Sequence, residues 1–215
     1  MRLDIFADII CPWCWIGKRR LERALKVRPQ QGLTTRWRAF QLNPGMPATG
    51  MDRREYLAAK FGNDSQAKRI YDVIRAAGES EGLEFNFDKI QQTPNTLRAH
   101  RLVRLAQERG KGSQMIEALF QAYFVLGENI GDRTVLVDIA QPLGFSEDEV
   151  HQHIDSAELL LQSLDFKKGH ASPFDRAGHQ SPHEIPARHD INDQRRQRRK
   201  DRSCEVHIVF LHAGR

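Results

Sequence analysis

The chain is poor in the features that would assign it to several large classes. Three cysteines in 215 residues are too few for a disulfide-stapled scaffold. No window holds the roughly 18 apolar residues that a membrane-spanning helix needs. Aromatics make up only 8% of the chain. The N-terminal run MRLDIFADIICPWCW is interrupted by Asp4 and Asp8, and no small-residue cleavage site follows. A secretory leader is therefore not expected, and a cytoplasmic address is the default. What is present is a 40% apolar content, enough for the core of one domain or of one domain with an insertion.

A net charge of +5 invites a nucleic-acid reading, but its location opposes one. Residues 1–165 carry 22 basic and 22 acidic side chains, while residues 166–215 carry 11 and 6. Six of the nine histidines also fall in that last segment. Between Phe166 and Ser203 only seven of 38 residues are apolar, too few to offset the entropy of ordering them. Residues 1–165 thus read as a globular body, and 166–215 as an atypical basic tail, disordered except for a short strand near 205–211. The abrupt switch at Phe166 is the pattern that a shifted reading frame leaves. The Arg195–Lys200 run RRQRRK has no interleaved aromatics for stacking on bases, so it reads as a solvated tail and nucleic acid is not an expected partner.

Periodicity organises the body. Leu3, Ile5 and Ala7 alternate in a first strand, and Leu33–Leu42 alternates in a second. Between them, Ile16, Leu21, Ala24 and Leu25 have helical spacing. This strand–helix–strand unit over residues 1–48 predicts a parallel crossover. Residues 49–165 then read as helices. Asp52 with Glu55 caps the first. Ala67, Ile70, Tyr71, Ile74 and Ala77 form one face of the next. Thr93-Pro94 reads as a helix start, with Ala99, Leu102, Val103 and Ala106 inside. Gly110 and Gly112 end that helix. Ile116 to Phe124 make an amphipathic stretch closed by Gly127. Asp132 caps a helix bearing Leu136, Ile139, Ala140 and Leu143, and Ser146 with Glu149 makes a capping box before Val150, Ile154, Ala157 and Leu161. Two strands cannot stand alone, and Glu205–His212 is the only β-like run left to add to them.

Cys11-Pro12-Trp13-Cys14 carries the chemical signal. It lies where the first strand meets the first helix. Cysteines three apart at a helix start can close a small disulfide with little backbone movement. Unpaired amides at the positive end of a helix favour a thiolate, and such positions lower a cysteine pKa to ~3.5–7.5. The thiolate is the attacking species in disulfide exchange. Zinc is the competing use of a cysteine pair, but it wants four ligands. Cys204 stands alone, and only the tail residues His170, His179, His183 and His189 could complete a set, so no metal is expected.

The opening MRLDIFADIICPWCWIGKRRLERAL resembles the DsbA-like thioredoxin-fold oxidoreductases, in their cytoplasmic FrnE-type branch. WRAFQLNPGMP, MDRREYLAAKFG and GLEFNFDKIQQTPNTLRAHRL extend the similarity over about residues 1–165. The resemblance implies an α/β thioredoxin-like fold split by a large helical insertion. It implies Cys11 as the nucleophile, Cys14 as the resolving thiol and a protein or small-molecule disulfide as substrate. No cofactor is implied beyond the Cys11–Cys14 redox pair, with glutathione as a potential reductant. It also implies a return to the core through a cis-proline motif. After Asp165 no such motif is legible: Pro173, Pro182 and Pro186 qualify by residue type alone, so the C-terminal part of the core reads as missing or replaced and turnover is expected to suffer.

Two other functions compete. Kappa-class glutathione transferases and 2-hydroxychromene-2-carboxylate isomerases share the fold but usually carry serine at the first-cysteine position. Asn95 could reach a glutathione site there, though a local capping role fits it better. A non-catalytic binding protein using the basic tail is the third alternative.

Overall fold

The structure is a computed structural model and describes residues 1–62, 64–156 and, for the backbone alone, 205–209. Ala157, Leu161, the tail histidines, Cys204, the three candidate cis-prolines and the Arg195–Lys200 run lie outside the described residues.

Strand β1 (Arg2–Ala7) is followed by helix α1 (Pro12–Val27) and strand β2 (Thr34–Ala39). β1 pairs parallel with β2, Leu3 opposite Thr35 and Ala7 opposite Ala39, which is the expected crossover. Strand β5 (Glu205–Val209) adds parallel to the other side of β1, giving the order β2-β1-β5. The one β-like run of the tail therefore occupies the edge that two strands alone would leave open.

This central position corrects the expectation of alternation in β1. Leu3, Asp4, Ile5 and Ala7 are all buried, as befits a strand flanked on both edges and covered on both faces. Asp4 is held there by Arg38 at 3.3 Å and Arg2 at 3.7 Å. β2 also stops at Ala39, short of Leu42, because the Leu42 amide turns in to donate to Asp8 Oδ2 at 2.7 Å.

Helices α2 (Arg53–Phe61), α3 (Asp64–Glu79), α4 (Leu97–Glu108), α5 (Gly112–Gln121), α6 (Arg133–Ala140) and α7 (Glu147–Ile154) make up the rest of the body. The caps follow the sequence: Asp52 accepts from the Arg54 and Glu55 amides, Asp132 from Thr134 and Val135, and Ser146 Oγ from Glu149. Two starts differ from expectation. Thr93 does not cap α4, because it belongs to a two-residue strand, β4 (Gln92–Thr93), antiparallel to β3 (Met51–Asp52). α4 begins after Thr96, with Asn95 Oδ1 accepting from the Leu97 amide at 3.0 Å. Gly112 opens α5 instead of ending α4, because Gly110, at φ +70°, already makes the turn. The α5 path widens into a π-type turn over Ala122–Leu126 and ends at Gly127. There φ is +78°, and a Cβ would lie 2.6 Å from the Lys89 carbonyl oxygen.

Aromatic packing joins the two parts of the body. Trp15 of α1 stacks on Phe120 and Phe124 at 5.8 and 5.9 Å and meets the edge of Phe85 at 5.4 Å. Beside it, Glu117 of α5 accepts from Trp15 Nε1 at 3.2 Å and from Lys18 Nζ at 2.6 Å. Lys18 is only 3% exposed, so this buried cation has the partner its burial requires. The helix that carries the cysteines is thereby fixed against the helical part.

Candidate active site

β1 delivers the chain to a turn in which the Cys11 amide donates to the Asp8 carbonyl at 3.0 Å. Cys11 is the extended N-cap of α1, and Pro12 takes the first helical position, where its missing N–H costs nothing. One turn of helix brings the Cys14 thiol to hydrogen-bond the Cys11 sulfur. No disulfide joins Cys11 and Cys14 here. No acidic side chain sits in the first turn to oppose the positive helix end.

The two sulfurs experience opposite environments. The Cys14 thiol's hydrogen bond is the largest influence on Cys11 and favours its thiolate. Burial opposes this, and the amides of Cys14 and Trp13 reinforce it, so the Cys11 pKa falls below its ordinary value. Burial pushes Cys14 well above its ordinary value, and the bond and charge of Cys11 push the same way. Cys11 is only 5% exposed, against 1% for Cys14. Cys11 lines a cavity of about 1100 Å³ together with Trp13, Leu42 and side chains from α2 and α3.

Asp8 is a site residue that the sequence did not single out. It is fully buried at the turn below the cysteines. Its Oδ1 has no hydrogen bond and lies 3.4 Å from His100 Nε2 of α4, which also lacks one. Its charge opposes thiolate formation on both sulfurs. Asp8→Asn is therefore expected to move the Cys11 alkylation midpoint further down. In the unaltered chain that midpoint should already lie below the free-cysteine value of about 8.5. Iodoacetamide labelling rates against pH, with mass assignment to Cys11, check both. A midpoint at the free value, or an upward move in Asp8→Asn, would contradict them.

A second missed group faces the same cavity from above. Arg53 opens α2 between the rings of Tyr56 and Tyr71, 5.6 and 5.5 Å from their centroids. Its guanidinium donates to the Tyr71 hydroxyl at 2.6 Å and to Thr93 Oγ1 at 3.1 Å. Burial raises the Tyr71 pKa, so the phenol stays neutral beside the cation. Lys60 donates to the Tyr56 hydroxyl at 2.8 Å. The signal was the spacing of Arg53, Tyr56 and Lys60, which shares one helical face. Asn95 caps α4 locally and donates to the Met46 carbonyl at 2.7 Å. Among the described residues no group of three His, Cys, Asp or Glu side chains converges as a metal site.

The sequence profile of the DSBA-like thioredoxin domain matches residues 2–160. The chain belongs to that family. It is similar to a probable DsbA oxidoreductase of Streptomyces coelicolor, SCO1869, at 30% identity and a TM-score of 0.64, over 78% of this chain and 70% of that one. It is 28% identical over 145 residues to the uncharacterized protein YwbO of Bacillus subtilis. That match spans 67% of this chain and 66% of YwbO, just under two thirds of the relative's length. The fold is also that of DsbM, a cytosolic disulfide reductase of Pseudomonas aeruginosa solved with GSH. There the TM-score is 0.57 and the identity 19%, over 83% of this chain and 81% of DsbM. The family is one of oxidoreductases, and the thioredoxin-like α/β fold with its helical insertion agrees with the reading of the sequence.

Proposed function

We propose that this chain is a thiol–disulfide oxidoreductase in which Cys11 attacks and Cys14 resolves. The observation that carries the reading is the asymmetry of the pair. The sulfur that borders the cavity is the one whose thiolate is favoured, and the deeper sulfur is held as a thiol. The Cys11 thiolate attacks a substrate disulfide, a Cys11–substrate disulfide forms, and one substrate thiolate departs and takes a proton. Cys14 then loses its proton and attacks the Cys11 sulfur. The second substrate thiol leaves, and Cys11–Cys14 becomes a disulfide. Two electrons pass to the substrate, and the reverse sequence oxidises a dithiol. These steps use no metal or organic cofactor. Glutathione as reductant finds support in DsbM having been solved with GSH.

A cytoplasmic setting belongs to the same reading, supported by the cytosolic DsbM. No helix among the described residues is long and apolar enough to cross a membrane. The transferase and isomerase alternative is disfavoured by a cysteine at position 11, where serine is the usual residue of those enzymes.

The test is one equivalent of a small disulfide added to the fully reduced chain. Two product thiols per chain and a Cys11–Cys14 link in the peptide masses are expected. Absence of product thiol, or a link through Cys204 instead, would remove the reading.

A further inference from the structure

The cavity beside Cys11 has a sign. Among the described residues its charged lining consists of Arg53, Lys60 and Arg69, with no Asp or Glu. None of the three takes part in an ion pair among the described residues; Arg53 and Lys60 meet hydroxyls and aromatic rings instead. Arg53 is half-buried. Elsewhere the chain pairs its basic groups readily: Arg20 and Arg23 share Glu81, and Arg75 bridges Asp72 and Asp88. The lining is otherwise mostly apolar, including Ile70, Val73, Phe61, Leu42 and Trp13, with Gln66, Tyr56 and Tyr71 as its uncharged polar side chains. Val73 is 61% exposed although its side chain is apolar. The volume, about 1100 Å³, matches a small molecule.

We propose that this cavity selects a small disulfide that carries a carboxylate on an apolar body, with the Arg53 guanidinium receiving the carboxylate while the sulfurs lie at Cys11. The proposal rests on the oxidoreductase reading for its chemistry, and on charge complementarity for its selectivity. Burial beside aromatic rings strengthens a guanidinium–carboxylate bond over one in open water. The guanidinium also presents a fork of donors that a lysine cannot reproduce. The reaction is the two-step exchange already given, and its two electrons come from the reduced Cys11–Cys14 pair.

The test uses three disulfides of similar size and different charge: 3,3′-dithiodipropionate, 2-hydroxyethyl disulfide and cystamine. Each rate of oxidation of the reduced chain is divided by that disulfide's rate with free 2-mercaptoethanol, which removes intrinsic reactivity. The acidic disulfide should be favoured about tenfold over the neutral one, and cystamine should rank last. Arg53→Gln should collapse the ratio, and Lys60→Gln, at an exposed position, should lower it about twofold. Added salt should narrow it.

Suberate, which replaces the two sulfurs of dithiodipropionate by carbons, reads the site without chemistry. Calorimetry should detect its binding to Cys11→Ser and lose it in Cys11→Ser/Arg53→Gln, with circular dichroism confirming the fold of both. Equal normalised rates for all three disulfides, or suberate binding that ignores Arg53, would overturn the proposal even if exchange is brisk. Suberate binding without any exchange would instead leave the anion site standing and remove the oxidoreductase reading. An acidic peptide disulfide reacting about tenfold faster than dithiodipropionate would assign the charge to protein substrates and also overturn the proposal.

Discussion

Cys11→Ser is expected to reduce disulfide exchange by on the order of a thousandfold or more, measured as thiol release from a small disulfide under single-turnover conditions. A serine hydroxyl at the helix start does not ionise at neutral pH, so the helix amides and the Cys14 thiol would have no anion to favour. Cys14→Ala should behave differently, because it leaves the attacking sulfur in place. The first exchange step should proceed and then stop, and the Cys11–substrate disulfide should persist and be visible by mass. The Cys14 hydrogen bond is the foremost cause that lowers the Cys11 pKa. Its removal should therefore move the Cys11 alkylation midpoint upward, opposite to the shift expected of Asp8→Asn. If Cys11→Ser retains exchange, or Cys14→Ala releases product at the unaltered rate, the assigned roles are wrong.

Trp15→Ala is expected to destabilise the fold by about 3–5 kcal/mol. Trp15 is 2% exposed and contacts Phe85, Phe120 and Phe124 around its ring. Truncation would leave a hole between α1 and the π-type turn that the neighbouring aromatics cannot fill. It would also remove one of the donors to Glu117. In a chain of this size the loss corresponds to a fall in melting temperature of roughly 10 °C. Trp15→Phe keeps most of the ring contact and loses the Nε1–H bond, so its loss should be less than half as large. Thermal unfolding of the three chains checks this. A change below about 1 kcal/mol in Trp15→Ala would show that the two parts of the body are not joined through this ring.

Local rules read well where a local interaction decides the structure. Asp52, Asp132 and Ser146 cap helices because each side chain reaches an amide two or three residues away. The Cys11-Pro12-Trp13-Cys14 junction was legible for the same reason: the strand, the helix and the proline at its first position all lie within a short stretch. Thr93 was misread because its partner, Met51, is far along the chain. A β-bridge formed at that distance outweighs the capping tendency of a Thr-Pro pair. β1 was misread as one-sided because its second flank comes from Glu205–Val209 at the other end of the sequence.

By itself the sequence determined the parallel strand–helix–strand opening, the helical content that follows, and the two thiols at one helix start. These depend on periods and spacings that a short segment carries within itself. Only the tertiary structure decided which thiol faces a cavity, which charges surround it, and how deeply both are buried. Asp8 meets His100, 92 residues further along the chain, at 3.4 Å, and Arg53 comes to share a cavity with Cys11 only when α2 and α3 fold over the start of α1. Electrostatic influence depends on distance through space and on the exclusion of water. Neither quantity is a property of residue order, so the character of the site became visible only once the chain had folded upon itself.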